Sequence, residues 1–253
     1  MARLPLDVPA VRGMDATHTG AYQQRYRELL IRMFNEFKAR LYPLINQHLS
    51  VSKPGGMAEL RKTMDSIINR AQIEQDYGAG VTRDITASYT LGRRMAMENP
   101  RIKRDGSILI PYQLSTRDQM VVSDLIERNL GQLTRSTDEM KTSILQMLID
   151  GIKEQRSTQD IIRDIRTSID GMTKTKAETI ARTEIAYSYN NATAEAYKQA
   201  GVDQWQWIAA LGYYCCDVCQ EKHGQIYDWG DPQPPEHPNC LCTLYPVINR
   251  EAA

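Results

Sequence analysis

No cysteine occurs in this 253-residue chain before position 215. Phenylalanine appears only twice. No stretch approaches the roughly 18–20 consecutive apolar residues that a membrane-spanning helix needs. The first twenty residues, interrupted by Pro5, Pro9 and Gly13, lack a charged segment followed by an apolar run, so they do not read as an export signal. The chain also lacks a P-loop, a GxGxxG, a GxSxG and any repeat of solenoid period. Net charge is absent as well, with 31 basic and 31 acidic side chains. Its distribution is uneven: residues 1–50 carry +3, residues 51–201 carry +2 and residues 202–253 carry −5. An acidic C-terminal end argues against its gripping a phosphate backbone, whereas the basic N-terminal arm retains a weak capacity for nucleic acid. The missing export signal and the odd number of cysteines point to a reducing cytosol rather than to disulfides.

All five cysteines fall in the last forty residues. Cys215, Cys216 and Cys219 form CCDVC, and His237, Cys240 and Cys242 lie in EHPNCLC. A Cys-x2-Cys pair followed some twenty residues on by a second pair is how a chain builds a tetrahedral metal site. Thiolate and imidazole donors suit zinc, and a closed four-ligand site is structural. Six candidates compete for four positions. Cys216 and Cys219 form the clearest pair, chelating from a tight turn. Cys240 and Cys242, one residue apart, would share a side if they lay on a strand, and His237 with Cys240 is a competing second pair. Cys215 is the expected spare. His223 is in range, but it reads first as a turn histidine before Gly224. A catalytic zinc is the sharper alternative. The nucleobase deaminase order, H-x-E before the cysteine pair, is reversed here and has no H-x-E.

Apolar spacing predicts a helix from Thr19, its N-cap, to about Leu49 and another from about Ala58 to Arg70. A third is expected over 81–97, with Gly78 and Gly80 weakening what precedes it. Residues 101–114 read as a small hairpin or extended loop. Ser115 and Asp118 open a long helix reaching Leu133, with periodicity resuming at Met140 and ending near Gly151. Ser157 caps a short helix, and a final one spans 174–200 with Gly201 as its C′ glycine. Beyond it, Trp205, Trp207 and Ile208, then Gln225 to Tyr227, then Thr243 to Pro246 read as short strands. The expected architecture is α+β, mostly α: an extended arm over 1–18, a helical region over 19–114, further helices over 115–201 and a small Cys/His-rich, zinc-stapled β module over 202–253. So small a module has little core of its own, and a metal is one remedy. Trp205 and Trp207 are expected in that core. Arg182, Glu184 and Asn191 are expected to form a buried polar network linking the last helix to the β module, because such groups must satisfy one another.

The residues Ile180 to Glu184 (IARTE), Asn190 and Asn191, Trp207, Cys216 and Cys219, Gly224, Pro235 to Cys242 (PEHPNCLC) and Tyr245-Pro246-Val247 occur in an order that resembles the phage Mu protein F-like minor head proteins. The resemblance covers roughly residues 110–248. Leu241 stands where that family commonly has an arginine. The resemblance implies a non-enzymatic minor capsid or head morphogenesis protein of a tailed bacteriophage, in several copies per virion. Its implied place is the head interior or the portal vertex, after assembly in the host cytoplasm. The implied partners are the portal protein, a major capsid or scaffolding protein and phage DNA, with no membrane. Some members carry an added toxin or enzyme domain after the motif, whereas here Ala253 follows it directly. The alternatives from the residues alone are a zinc-dependent nuclease and a DNA-binding structural protein, both acting in packaging.

Overall fold

The structure is a computed structural model and describes residues 16–50, 56–100, 102, 113–211 and 215–248. It is mostly helical, with a small antiparallel sheet near the C-terminus. The first fifteen residues of the expected arm and nearly all of the expected hairpin over 101–114 lie outside the described residues.

Helix α1 (Gly20–Ser50) follows Thr19, whose carbonyl accepts the Tyr22 and Gln23 amides at 2.9 and 3.0 Å and whose hydroxyl accepts from the Gln23 side chain at 2.7 Å. Its buried stripe of Tyr26, Leu30, Met33, Phe37, Leu41 and Ile45 repeats every three or four residues, as a helix packed on one face requires. Helix α2 (Met57–Ile67) buries Leu60 and Met64. Helix α3 (Arg70–Met97) starts eleven residues earlier than expected. Asn69 begins it, accepting the Gln72 amide through its side-chain oxygen at 3.0 Å. Gly80 does not break α3. A side chain there would meet Leu29 of α1 at 2.8 Å, so this glycine permits a close approach.

Helix α4 (Thr116–Lys153) opens on a reciprocal cap: the Asp118 amide donates to the Ser115 hydroxyl at 3.2 Å, and the Ser115 amide donates to the Asp118 carboxylate at 3.0 Å. It runs unbroken where the apolar pattern lapses after Leu133. Ser136 and Thr137 hold the buried stripe there, and the Thr137 hydroxyl bonds the Thr134 carbonyl at 2.8 Å. Helix α5 (Thr158–Gln199) replaces the two separate helices expected. Its buried positions Ile161, Ile165, Ile169, Thr173 and Ala177 recur every fourth residue, so one stripe continues through the supposed break. Gly201, at φ +73°, ends it, and the Val202 amide reaches back to the Tyr197 carbonyl at 3.1 Å.

The sheet consists of β1 (Gln204–Ile208), β2 (Ile226–Asp228) and β3 (Thr243–Val247) in the order β2-β1-β3, all antiparallel. The register aligns Trp205 with Tyr227 and Pro246, and Trp207 with Leu244. Trp205 and Tyr227 stack with ring centroids 4.8 Å apart. Between β1 and β2 lies the short helix α6 (Asp217–Lys222).

The chain divides into two compact units. One comprises Met1–Gln24, Arg83–Leu125 and Ala181–Ala253; the other comprises Arg25–Thr82 and Ile126–Ile180. In the second, the buried Lys141 of α4 fastens α2. Its ammonium lies 2.5 Å from Asp65 and 2.7 Å from Asp138, and it donates to the Ile68 carbonyl at 3.1 Å. A cation at a helix C-terminus also meets the negative end of the helix dipole. In the first unit, α3 and α5 pack closely. Ser88 donates to the Ile185 carbonyl at 2.8 Å, and Ser188 returns the bond to Ile85 at 3.0 Å. Both tryptophans of β1 are fully buried, in a core that includes Ala194, Tyr197, Cys219, Cys240 and Leu244. The sheet thus shares its core with α5.

Candidate metal centre

The cysteine pair is presented from a helix start. Cys216 is the N-cap of α6, and its sulfur accepts the Cys219 amide at 3.4 Å. This arrangement, where a tight turn was expected, places both sulfurs beside one another and supplies an N–H to a developing thiolate. His237 faces them. Its Nδ1 lies 2.8 Å from the Pro238 carbonyl, an acceptor only, so Nδ1 carries the proton and donates. Nε2 is left with its lone pair, 3.2 Å from Cys216 Sγ and 3.4 Å from Cys219 Sγ. Fixing the imidazole through its other nitrogen is the usual support of a metal-binding histidine.

Cys240 follows in the same turn, its amide donating to the His237 carbonyl at 3.1 Å. Its sulfur lies 3.8 Å from Cys219 Sγ. Cys240 and Cys242 are not on a strand, since β3 begins at Thr243. Among the described residues the donors form two overlapping triads, Cys216–Cys219–His237 and Cys219–Cys240–Cys242, each with all donor atoms within 4.8 Å of one another. Cys219 belongs to both. A tetrahedral ion bound at ordinary zinc distances would set sulfur–sulfur edges of about 3.8 Å and sulfur–nitrogen edges of about 3.6 Å. The measured separations match that scale, and the donors are of the soft thiolate and imidazole kind. The cluster can therefore hold a metal ion.

The electrostatics of the thiols divide by surroundings. The Cys219 amide, outweighing burial, holds Cys216 below the ordinary thiol range. Cys240 is brought down to about 5, first by the bond from the Cys242 side chain and then by the Cys242 and Glu236 amides, against the opposing effect of burial. Burial, with the nearby Cys240 charge, pushes Cys219 up. Cys242 is pushed up by its bond to Cys240 and by burial. For His237, burial acts downward, but the Pro238 carbonyl and the charges of Cys240 and Cys216 outweigh it and leave the ring more basic than usual. Cys216 and Cys240 thus ionise more readily than ordinary thiols, which favours a cation beside them.

Cys215 lies outside both triads, half-buried. The Nδ1 of His223 accepts the Ala209 amide at 3.1 Å, closing the turn before Gly224. Trp207 carries Lys222 over its ring at 4.8 Å, and Lys222 pairs with Glu236 at 2.5 Å.

Helix α5 grips the ligand-bearing segment at two points. The Asn239 amide donates to the Thr183 hydroxyl at 3.0 Å. Seven residues along the helix, the Asn190 side chain donates to the Cys242 carbonyl at 2.9 Å and accepts from the Thr243 hydroxyl at 2.8 Å. Both sets of bonds join α5 to the region of the cysteines. Of the residues expected to make that link, Glu184 is buried and Arg182 half-buried, whereas the Asn191 amide donates to the Tyr187 carbonyl of its own helix at 2.9 Å. Thr183 and Asn190 carried a sequence signal, since both belong to the motif run from Ile180 to Asn191, but nothing in spacing alone singles them out.

Residues 142–245 match the model of the family described as Phage Mu protein F like protein. The match takes in the end of α4, all of α5, the cysteine and histidine donors and most of the sheet. This stretch, less than half of the chain, is thus similar to the Phage Mu protein F-like family. No curated protein and no solved structure matches the chain. Among the described residues no helix is long and apolar enough to cross a membrane.

Proposed function

We propose that this protein is a minor head protein of a tailed bacteriophage that docks at the portal vertex during procapsid assembly, with a zinc-stapled C-terminal module as its rigid recognition element. The observation that carries this reading is the Phage Mu F-like segment, because it contains the whole Cys/His cluster together with the two α5 contacts that hold it. Four donors are drawn from Cys216, Cys219, His237, Cys240 and Cys242. A bound zinc would act there as a cross-link between α6 and the segment before β3, contributing folding free energy rather than chemistry. Arg182 and Glu184, flanking Thr183, belong in this reading to the polar seam between α5 and the module. The helical remainder offers long faces for the portal, capsid or scaffolding subunits. The runner-up, a zinc nuclease, needs a second catalytic histidine. His223 is committed to the Ala209 amide, and no observation favours that reading.

The test is an affinity capture of the tagged chain from phage-producing cells, read by mass spectrometry. Portal and capsid subunits should be enriched well above an untagged control. Enrichment of packaging enzymes or DNA without portal would overturn the assembly role.

A further inference from the structure

We infer that the metal is bound by three thiolates and one imidazole, from Cys216, Cys219, Cys240 and His237, and that Cys242 is an anchoring residue rather than a ligand. The inference rests on the metal reading above and decides what that reading leaves open, namely which four of the candidates bind. Three of the four-ligand contacts already stand at tetrahedral-edge separations: 3.2 Å and 3.4 Å from His237 Nε2 to the Cys216 and Cys219 sulfurs, and 3.8 Å from Cys219 to Cys240. The helix-capping bond that pairs Cys216 with Cys219 and the backbone bond between Cys240 and His237 define two chelating arms, one on α6 and one in the His-Pro-Asn-Cys turn. Cys240 shares a triad with Cys219 but with neither Cys216 nor His237, so closing one ion draws the Cys240 thiol toward that pair.

Cys242 belongs to neither arm. It is tethered by its own carbonyl to Asn190 of α5, and the next residue, Thr243, is tethered to the same side chain. Its sulfur contacts those of Cys219 and Cys240 within the second triad, whereas Cys216 and His237 make up the first triad without it. A thiol held there lies beside two ligand sulfurs as an outer support of the site.

The test uses the full chain, loaded with zinc, dialysed and assayed for metal by mass spectrometry. The wild type should retain about one zinc per chain, as a closed four-ligand site does. Cys216→Ser, Cys219→Ser, Cys240→Ser and His237→Gln should each lose most of it to a competing chelator, while Cys242→Ser and Cys215→Ser keep it. Far-UV circular dichroism identifies any variant that has simply failed to fold. The spectrum of the cobalt-substituted wild type supplies a second readout that needs no substitution, with three-thiolate, one-nitrogen coordination expected. Zinc lost in Cys242→Ser but kept in His237→Gln, or a four-thiolate cobalt spectrum, would overturn the assignment. A wild type that binds no metal would instead overturn the zinc staple itself.

Discussion

Gly92→Ala tests the packing that carries the C-terminal half of α5. A Cβ at Gly92 would sit 2.3 Å from the Tyr189 carbonyl oxygen and 2.9 Å from the Ala192 side chain. The first obstacle is backbone, so no rotamer change relieves it and α3 must move away from α5. Overpacking of this kind costs about 3 kcal/mol. Replacing a helical glycine by alanine returns about 1 kcal/mol. The net loss is about 2 kcal/mol, which lowers the Tm of a chain this size by roughly 4–8 °C. Moving α3 also strains the bonds between Ser88 and Ile185 and between Ser188 and Ile85. Gly131→Ala is the matched control: nothing lies within 4 Å of its would-be Cβ, in the middle of α4. It should raise stability by up to about 1 kcal/mol. The two variants are compared by thermal and urea melts followed at 222 nm. If Gly92→Ala melts at or above the wild type, as Gly131→Ala is expected to, the close contact between α3 and α5 is refuted.

The remaining predictions concern single side chains. Asn190→Ala removes two bonds from a buried site and should cost about 2–3 kcal/mol; urea unfolding monitored by tryptophan fluorescence should show the loss, and an unchanged midpoint would show that α5 does not grip the Cys242 segment. Lys141→Ala should cost about 1–2 kcal/mol, discounted because Asp65 and Asp138 are about half exposed and rehydrate; hydrogen exchange should quicken in α2, and equal protection there counts against the fastening role. Burial lowers the pKa of His223 from its ordinary 6.5. The unfolded chain then takes up its proton first, so the full stability present above about pH 6.5 falls as the pH drops toward the folded value. Melts from pH 7.5 to 5.5 should slope less in His223→Asn, and parallel slopes would dismiss the effect. Removing metal with a chelator should red-shift the tryptophan emission and spare most of the helical signal at 222 nm; an unaltered emission would mean that the centre does not order the sheet.

Hydrophobic spacing located the strands nearly residue for residue and most helix faces, because burial on one side imposes a period that the sequence displays. It failed where the buried stripe is polar. Thr137 and Thr173 sit inside α4 and α5 in positions that an apolar count treats as gaps. Each hydroxyl bonds a carbonyl of its own helix, at 2.8 Å to Thr134 and 3.2 Å to Asp170, so burial there needs no outside partner. Gly80 misled for the opposite reason. Its low helix propensity is a local property, whereas the contact with Leu29 that makes it useful is made by a residue 51 positions away. The short helix α6 escaped because six residues are too few to show a period, although Cys216 and Cys219 at N-cap and N3 could have suggested it.

At the candidate metal centre the division falls elsewhere. Cysteine and histidine spacing was enough to bring the donors together, since chelating pairs are local in sequence. The supports are not local: Thr183 reaches Asn239 across 56 residues and Asn190 reaches Cys242 across 52. Only a folded α5 brings those pairs into contact, and this accounts for the order of the motif. Thr183 of the IARTE run and Asn190 after it hold the segment before β3, and that segment carries Cys240 and Cys242. The matched stretch, residues 142–245, contains both halves of this clasp and every donor. It does not contain the α3 residues Ser88 and Gly92, which pack against the same part of α5. The clasp and the Cys/His cluster thus both lie within the matched stretch, while the close α3 packing at Ser88 and Gly92 is supplied from outside it.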